Sequence, residues 1–285
     1  MFVDLHVHSN YSDGIFGIDR IIDDVVARDL PGFAITDHDT FDGVKVAIEK
    51  LKEIDGKKDI FFIAGAEFSS YDPDAGEVHI IGYFSDYSYL KMTDFIREFQ
   101  SQRIERARKI LKCLKENGID IDEEDVIENE NKPVGRLNIA RELVKKGYFA
   151  DITDAFNKML KAGAPCYVRK KEVAPETVIE AILHNGGKPV LAHPTFLVNS
   201  SNWKFVEKLV SLGLYGIEIY HPKISKELAE AIKAAFKGRL VFTGGSDFHG
   251  DDSNLYIGKY GLSLYDTLEI FNNFADIKKQ SITGG

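Results

Sequence analysis

The chain of 285 residues has only two cysteines, Cys113 and Cys166, which supply neither a metal-binding cysteine pattern nor a disulfide framework. That scarcity fits a reducing, cytoplasmic location. No apolar run is long enough to span a bilayer, so no membrane partner is expected. A cleaved leader is not expected either, because candidate ligands begin at residue 6 and cleavage would remove them. Positive charge is also short. The 36 Lys+Arg face 45 Asp+Glu, and a net charge of −9 argues against duplex nucleic acid held by broad surface charge. Low-complexity tracts are absent, as are repeats beyond an alternation of strands and helices. What remains is a globular composition, 44% hydrophobic and 28% charged, long enough for one large domain or two ordinary ones.

The charge is uneven. Residues 97–180 hold 17 Lys+Arg against 16 Asp+Glu, so the negative excess lies outside the middle of the chain. Groups that hold an anion are therefore sought in that middle. On either side of it, apolar strands alternate with amphipathic helices. "FVDLHVHS" precedes "IDRIIDDVVARDL", and "GFAITDHD" precedes "GVKVAIEKLKEI". The later pairs include "KPVLAHP" with "WKFVEKLVSLG" and "YGIEIYH" with "SKELAEAIKAAFKG". Repeated βα units with continuous apolar strands predict a parallel sheet covered by helices. About seven strands favour a closed α/β barrel of the (β/α) type, with an open doubly wound sheet as the alternative. The rhythm breaks at 96–180, where "FIREFQSQRIERARKILKCLKENG", "RLNIARELVKKG" and "ITDAFNKMLKAG" read as helices with no strand between them. The expected organisation is a barrel from 1–95 and 181–285 with a helical insertion at 96–180. That insertion serves either as a lid that binds substrate or as a purely stabilising element.

Polar residues fall where apolar ones would pack better. His6 and His8 share one face of the first strand because strand side chains alternate. Asp13 follows in the adjoining loop. His38 in "ITDHD", Glu67 in "GAEF" and His193 in "VLAHP" end strands, His79 lies in "VHIIGYF", and Asp247 with His249 ends the last strand. Barrels of this class build their sites at the C-terminal rim from several strands. Scattered structural histidines have no reason to gather there. These six imidazoles and three carboxylates exceed what one ion uses, and unpaired polar groups in a pocket are costly. Two or three divalent ions would use them all, with Glu67 as the bridge. The charge of such a centre suits a phosphate ester.

The ordered motifs "DLHVHSNYSDG", "TDHD", "GAEF", "VHIIGY", "LAHP" and "GSDFH" resemble those of the PHP (polymerase and histidinol phosphatase) family, over residues 1–84 and roughly 185–250. The resemblance implies a distorted (β/α)7 barrel, TIM-like, with a trinuclear site of manganese, iron or zinc. It implies one ion on His6, His8, Glu67 and Asp247, a second on Asp13, His38 and His249, and a third on Glu67, His79 and His193. The insertion resembles a branch that removes the 3′-phosphate of nucleoside 3′,5′-bisphosphates or trims short RNA from its 5′ end. The expected partners are therefore a small phosphorylated substrate, in particular a nucleotide, or short single-stranded RNA. That branch carries Arg-x-His-x-Ala-Arg and "GxPxYV" stretches, which here read "RLNIAR" and "GAPCYV". Asn138 replaces the histidine. An arginine that follows the "AHP" in the branch is replaced here by Thr195, Phe196 and Leu197.

The expected reaction is hydrolysis of a phosphate ester by water activated on the ions, with His193 or His249 moving protons. Arg136 and Arg141 are the candidate substrate-binding residues, Arg136 as a phosphate clamp or as a plain surface arginine near a helix start. Asp37 and Asp39 flank His38 and face away from it, as supporting or capping groups. Tyr220 and His221 lie at the same rim, where they touch substrate or pack the core. His184 suits a helix C-terminus. The rival readings are a barrel amidohydrolase, disfavoured by a glutamate where such enzymes bridge with lysine, a histidinol-phosphatase-like enzyme, and a non-catalytic metal-binding regulatory module.

Overall fold

The computed structural model describes residues 2–54, 58–127, 134–169, 173–198 and 202–271. Its chain divides into two compact units, Met1–Thr93 with Glu172–Gly285, and Asp94–Lys171.

The first unit is an α/β structure built on a curled six-stranded sheet in the order β1-β2-β3-β4-β5-β6. The strands are β1 (Gly32–Ile35), β2 (Phe61–Asp72), β3 (Gly76–Phe84), β4 (Lys188–Leu191), β5 (Gly216–Tyr220) and β6 (Val241–Gly244). Helices α1 (Ile18–Ala27), α2 (Asp42–Ile54), α7 (Pro175–His184), α8 (Trp203–Ser211), α9 (Lys226–Phe236) and α10 (Leu264–Ile270) accompany them. Each long helix buries one apolar stripe. In α1 it is Ile18, Ile21, Ile22 and Val25, at the spacing that one helical face requires. Helix α7 starts at Pro175, within the stretch 96–180 expected as the insertion. It packs against β2, β3 and β4 and so belongs with the sheet.

The sequence pattern predicted a parallel sheet, and the observed sheet is mixed. Strand β3 runs antiparallel to both β2 and β4. The cause is the turn between β2 and β3. Asp72 Oδ1 accepts the amides of Asp74 and Ala75 at 2.9 Å each, and Gly76 takes a positive φ of 83°, so the chain doubles back at once. The reversal matters for His79. Although early in β3, it pairs with Ser69 late in β2, and its carbonyl accepts from Ala192 just beyond β4. His79 therefore reaches the end of the sheet at which the other strands finish.

The first expected strand forms no regular strand of its own, yet it is hydrogen-bonded to both edges of the sheet. Ala34 N–H donates to Asp4 O at 2.8 Å and Thr36 N–H to Val7 O at 2.9 Å on the β1 side. On the other side Leu5 N–H donates to Gly244 O at 3.2 Å and His8 N–H to Phe248 O at 2.9 Å. Buried Asp4 pins this junction by accepting the amides of His6, Ser246 and Gly258. Gly245 lets the chains approach, since a Cβ there would collide with His6 Cβ.

The second unit is helical: α3 (Thr93–Glu116), α4 (Glu123–Val126), α5 (Arg136–Lys145) and α6 (Ile152–Ala155), which passes directly into a π turn at Phe156–Leu160. It has its own core, including Ile104, Ala107, Ile110, Leu111 and Leu114 of α3 with Ile139, Ala140 and Leu143 of α5. Cys113 and Cys166 form a disulfide across a separation of 53 residues, contrary to the expectation of unpaired thiols. Such a spacing has no sequence signature, and the pairing removes the ground on which a reducing compartment was expected. No helix of the described residues is long and apolar enough to cross a membrane.

Candidate metal centre

Nine sequence-selected donors lie in the first unit, and the structure gathers them into one cup. Its floor is the short His-x-His stretch, where His6 and His8 are fully buried and their Nε2 atoms are 3.1 Å apart. Glu67, expected at a strand end but found in the middle of β2, which runs on to Asp72, stands between two sets of rings. Its Oε1 lies 2.9 Å from His79 Nδ1 and 2.8 Å from His193 Nε2. Its Oε2 faces His6 Nε2 at 3.4 Å, His8 Nε2 at 3.3 Å and His38 Nδ1 at 3.2 Å. Asp247 Oδ1 approaches His6 and His8 Nε2 at 3.5 and 3.4 Å. Asp13 Oδ1 lies 3.3 Å from His249 Nε2 and 3.7 Å from His8 Nδ1, and its Oδ2 lies 3.8 Å from His38 Nε2.

Four compact donor groups result among the described residues: His6, His8, Glu67 and Asp247; His8, Asp13, His38 and His249; His38, Glu67 and His79; and His6, Glu218 and His221. The first is the set that the motifs implied. The second adds His8 to the implied set. In the third, His38 stands where His193 was implied, while His193 reaches the same carboxylate oxygen as His79.

The donor chemistry fits divalent cations. Glu67 Oε2 is buried without a hydrogen bond while ring nitrogens converge on it. Two imidazole Nε2 atoms cannot sit 3.1 Å apart with both lone pairs facing unless a proton or a cation lies between them. Without a cation, a single proton shared between the two rings would take that part. Burial opposes charge on His6, yet Glu218, Glu67 and Asp247 raise it well above the ordinary imidazole range. His8, equally buried, is raised to about 10 by Asp247 and Glu67. Glu67 and Asp13 are held well below the usual carboxylate range, because the surrounding imidazoles outweigh their burial. Such a cluster exchanges protons for divalent metal.

The supporting groups are as informative. Glu218, mid-strand in β5 and fully buried, takes His6 Nδ1 at 3.2 Å, which leaves His6 Nε2 to face the cup. The same carboxylate accepts the His193 amide at 2.9 Å. His193 and Asp247 have positive φ values of 24° and 54°, conformations that a non-glycine residue holds only under constraint. Sequence reading passed over Glu218, although a lone acid between Ile217 and Ile219 was a visible signal. Asp37 proves to be a support, accepting Ser9 N–H, Ser9 O–H and Ser12 O–H at 2.7, 2.6 and 2.7 Å. Asp39 caps Ser69 N–H at 2.9 Å. Of the two rim residues left open, His221 is buried, with Nε2 3.5 Å from Asp247 Oδ2, whereas Tyr220 is half-exposed beneath Lys233. His184 is the last residue of α7.

Arg136 and Arg141 share α5 in the second unit. Arg136 donates to Leu160 O at 3.3 Å and lies over the rings of Phe156 and Tyr167. Asn138, where the branch motif has histidine, accepts the Gly135 amide at 2.8 Å and so caps the helix.

This architecture has close counterparts. The model of the PHP domain matches residues 4–272. A phosphoribosyl 1,2-cyclic phosphate 1,2-diphosphodiesterase of Eggerthella lenta is 29% identical over 88% of this chain and 95% of its own. The 5′-3′ exoribonuclease Rnm of Salmonella typhimurium is 33% identical over 70% of this chain and 68% of its own. A 3′,5′-nucleoside bisphosphate phosphatase of Chromobacterium violaceum is 29% identical over 87% of each chain. A solved structure from Bifidobacterium adolescentis, assigned as a metal-dependent phosphoesterase, superposes with a TM-score of 0.86 at 26% identity, covering 97% of this chain and 98% of its own. The donor cup and these likenesses agree: the chain belongs to the PHP domain family, among the hydrolases that act on phosphoric ester bonds.

Proposed function

We propose that this chain hydrolyses a phosphate ester of ribose, the 3′-phosphate of a nucleoside 3′,5′-bisphosphate being the foremost candidate. The observation that carries the reading is the double-sided placement of Glu67, with rings on both carboxylate oxygens. That arrangement supports two or three divalent ions (Mn, Fe or Zn) held by His6, His8, Asp13, His38, Glu67, His79, His193, Asp247 and His249. Bound there, the ions would supply Lewis acidity and an activated water. The chain's own residues do the rest. Glu218 fixes the tautomer of His6 and the backbone of His193. His249 is positioned by its Nδ1–H donating to Asp247 O at 2.8 Å. His193, on Glu67 Oε1, and His249, beside Asp13, are the groups proposed to pass protons to the leaving oxygen. The hydrogen bonds from segment 3–8 to both β1 and β6 support its reading as the seventh strand of a distorted (β/α)7 barrel. Arg136 and Arg141 are proposed to hold the substrate's other phosphate, with the helical unit serving as a lid.

The ribose assignment rests on what the relatives share. One is named for a phosphoribosyl cyclic phosphate, one for RNA and one for a nucleoside bisphosphate. The second reading is 5′-3′ cleavage of short RNA, favoured by the 33% identity to the Salmonella enzyme. A substrate panel with Mn²⁺ separates them: a nucleoside 3′,5′-bisphosphate, a 5′-phosphorylated oligoribonucleotide, a phosphoribosyl 1,2-cyclic phosphate and p-nitrophenyl phosphate. The bisphosphate is expected to have the highest kcat/KM. A rate no better than that of p-nitrophenyl phosphate rejects the nucleotide substrate, and a preference for the oligonucleotide selects the second reading.

A further inference from the structure

We propose that Lys223 is a phosphate-binding residue of this site, the cation that stands in for an arginine missing after "AHP". The inference rests on the phosphoesterase reading, but its test does not depend on turnover.

Lys223 lies in the turn after β5, in "YHPKIS". The turn is closed locally: Ile224 N–H donates to His221 O at 3.0 Å, and Lys223 N–H donates to His221 Nδ1 at 3.1 Å. This closure sends the lysine side chain back over the cup. Its Nζ lies 2.7 Å from Asp247 Oδ2, the oxygen turned away from His6 and His8. The two partners differ sharply in exposure, 60% for the lysine side chain against 7% for the aspartate. An ammonium has three donors, and one on Asp247 leaves two that solvent or a ligand can reach. Lys223 thus carries an accessible positive charge to the edge of a cluster of carboxylates and imidazoles. That is where a phosphoryl group held by the cup would present its outer oxygens.

The fold explains why this turn can replace the other. Strands β4 and β5 are parallel neighbours, and β5 is in turn the neighbour of β6. The segment after β4 carries His193 and then Thr195, Phe196 and Leu197, none of which is a cation. The segment after β6 carries Asp247. Lys223 follows β5, the strand between β4 and β6, and its Nζ reaches Asp247, so a cation is supplied one strand along the rim.

The test is equilibrium binding of inorganic phosphate to the Mn²⁺-loaded protein by calorimetry, with metal content measured on the same samples. Lys223→Ala is expected to weaken phosphate binding about tenfold or more, the usual weight of a hydrogen bond between charged groups, with metal content unchanged. Lys223→Arg is expected to restore most of the affinity. Unchanged phosphate affinity in Lys223→Ala overturns the proposal. So does a loss of bound metal that parallels the loss of phosphate, because Lys223 would then only hold Asp247 in place. A wild-type protein that binds phosphate through Lys223 but cleaves no ester preserves this inference and rejects the hydrolase reading. Ester cleavage with phosphate binding indifferent to Lys223 does the reverse.

Discussion

The two units of this chain differ in how they bury polar atoms: among the described residues, only the sheet unit gathers imidazoles and carboxylates into one cluster. In the sheet unit, Glu67, Glu218, His6 and His8 are fully or almost fully buried and face one another, with Glu67 Oε2 left without a hydrogen bond. In the helical unit the core cluster is apolar; Arg103 and Arg106 on α3 and Glu142 on α5 are also buried, and Arg136 lies over Phe156 and Tyr167. The sheet unit accepts a large desolvation cost that only cations and protons offset. The helical unit gains stability in the ordinary way, from a hydrophobic core and a cross-link. The metal-type donors are concentrated in the sheet unit and the cross-link in the helical one.

Substitutions should separate the two regimes. The largest effect is expected at the centre of the cup: Glu67→Gln should reduce ester hydrolysis to background and lower bound metal, measured by elemental analysis, while circular dichroism reports an intact fold. Retained metal with full turnover would remove Glu67 from the centre. Next comes Glu218→Gln, which keeps the shape but weakens the hold on His6 and His193. A loss of about 10- to 100-fold in metal affinity or activity is expected, the weight of a group that orients a ligand. An effect no larger than that of a surface acid would make Glu218 a bystander.

The helical unit should respond in stability and not in metal. Reducing the Cys113–Cys166 bridge, or Cys113→Ser, removes a cross-link over 53 residues. It is expected to cost about 2–4 kcal/mol in a denaturant titration of the helical transition, with manganese content of the cup unchanged. Metal loss on reduction would show that the two units are energetically joined.

The smallest effect is the pH dependence of the cup. A histidine whose pKa is raised, as that of His8 is to about 10, stabilises the metal-free fold fully below its unfolded value near 6.5. That contribution is lost as pH climbs through 10. Metal takes the unprotonated ring, so apparent Mn²⁺ affinity should strengthen by about tenfold per pH unit for each proton displaced. Buffers of different ionisation enthalpy should reveal proton release on loading. Binding heats independent of buffer would contradict the charged state assigned to His6 and His8.

The same contrast explains what the sequence made legible. A polar residue inside an apolar strand is expensive, so "DLHVH", "GAEF" and "GSDFH" announced themselves, and the donors they carry lie together. Glu218 obeyed the same rule in "GIEIY" and could have been found by it. Charges on amphipathic helices cost little, so nothing in "RLNIAR" distinguished Arg136 from a solvent-facing arginine, and nothing marked Asn138 as a cap. The antiparallel β3 and the Cys113–Cys166 pairing escaped for a different reason. Each depends on how distant segments meet. Strand direction here follows from a short Asp72-to-Gly76 turn whose hydrogen bonds outweighed the βα rhythm around it. His79 reached the cup only because of that reversal.

Anomalous diffraction from crystals of the manganese-loaded protein, collected at the metal edge, is the most direct test of the central claim. Two or three peaks within the cup are predicted, with Glu67 contacting more than one of them and His6 and His8 on the innermost. An empty cup, with manganese found only at surface carboxylates, would contradict the account.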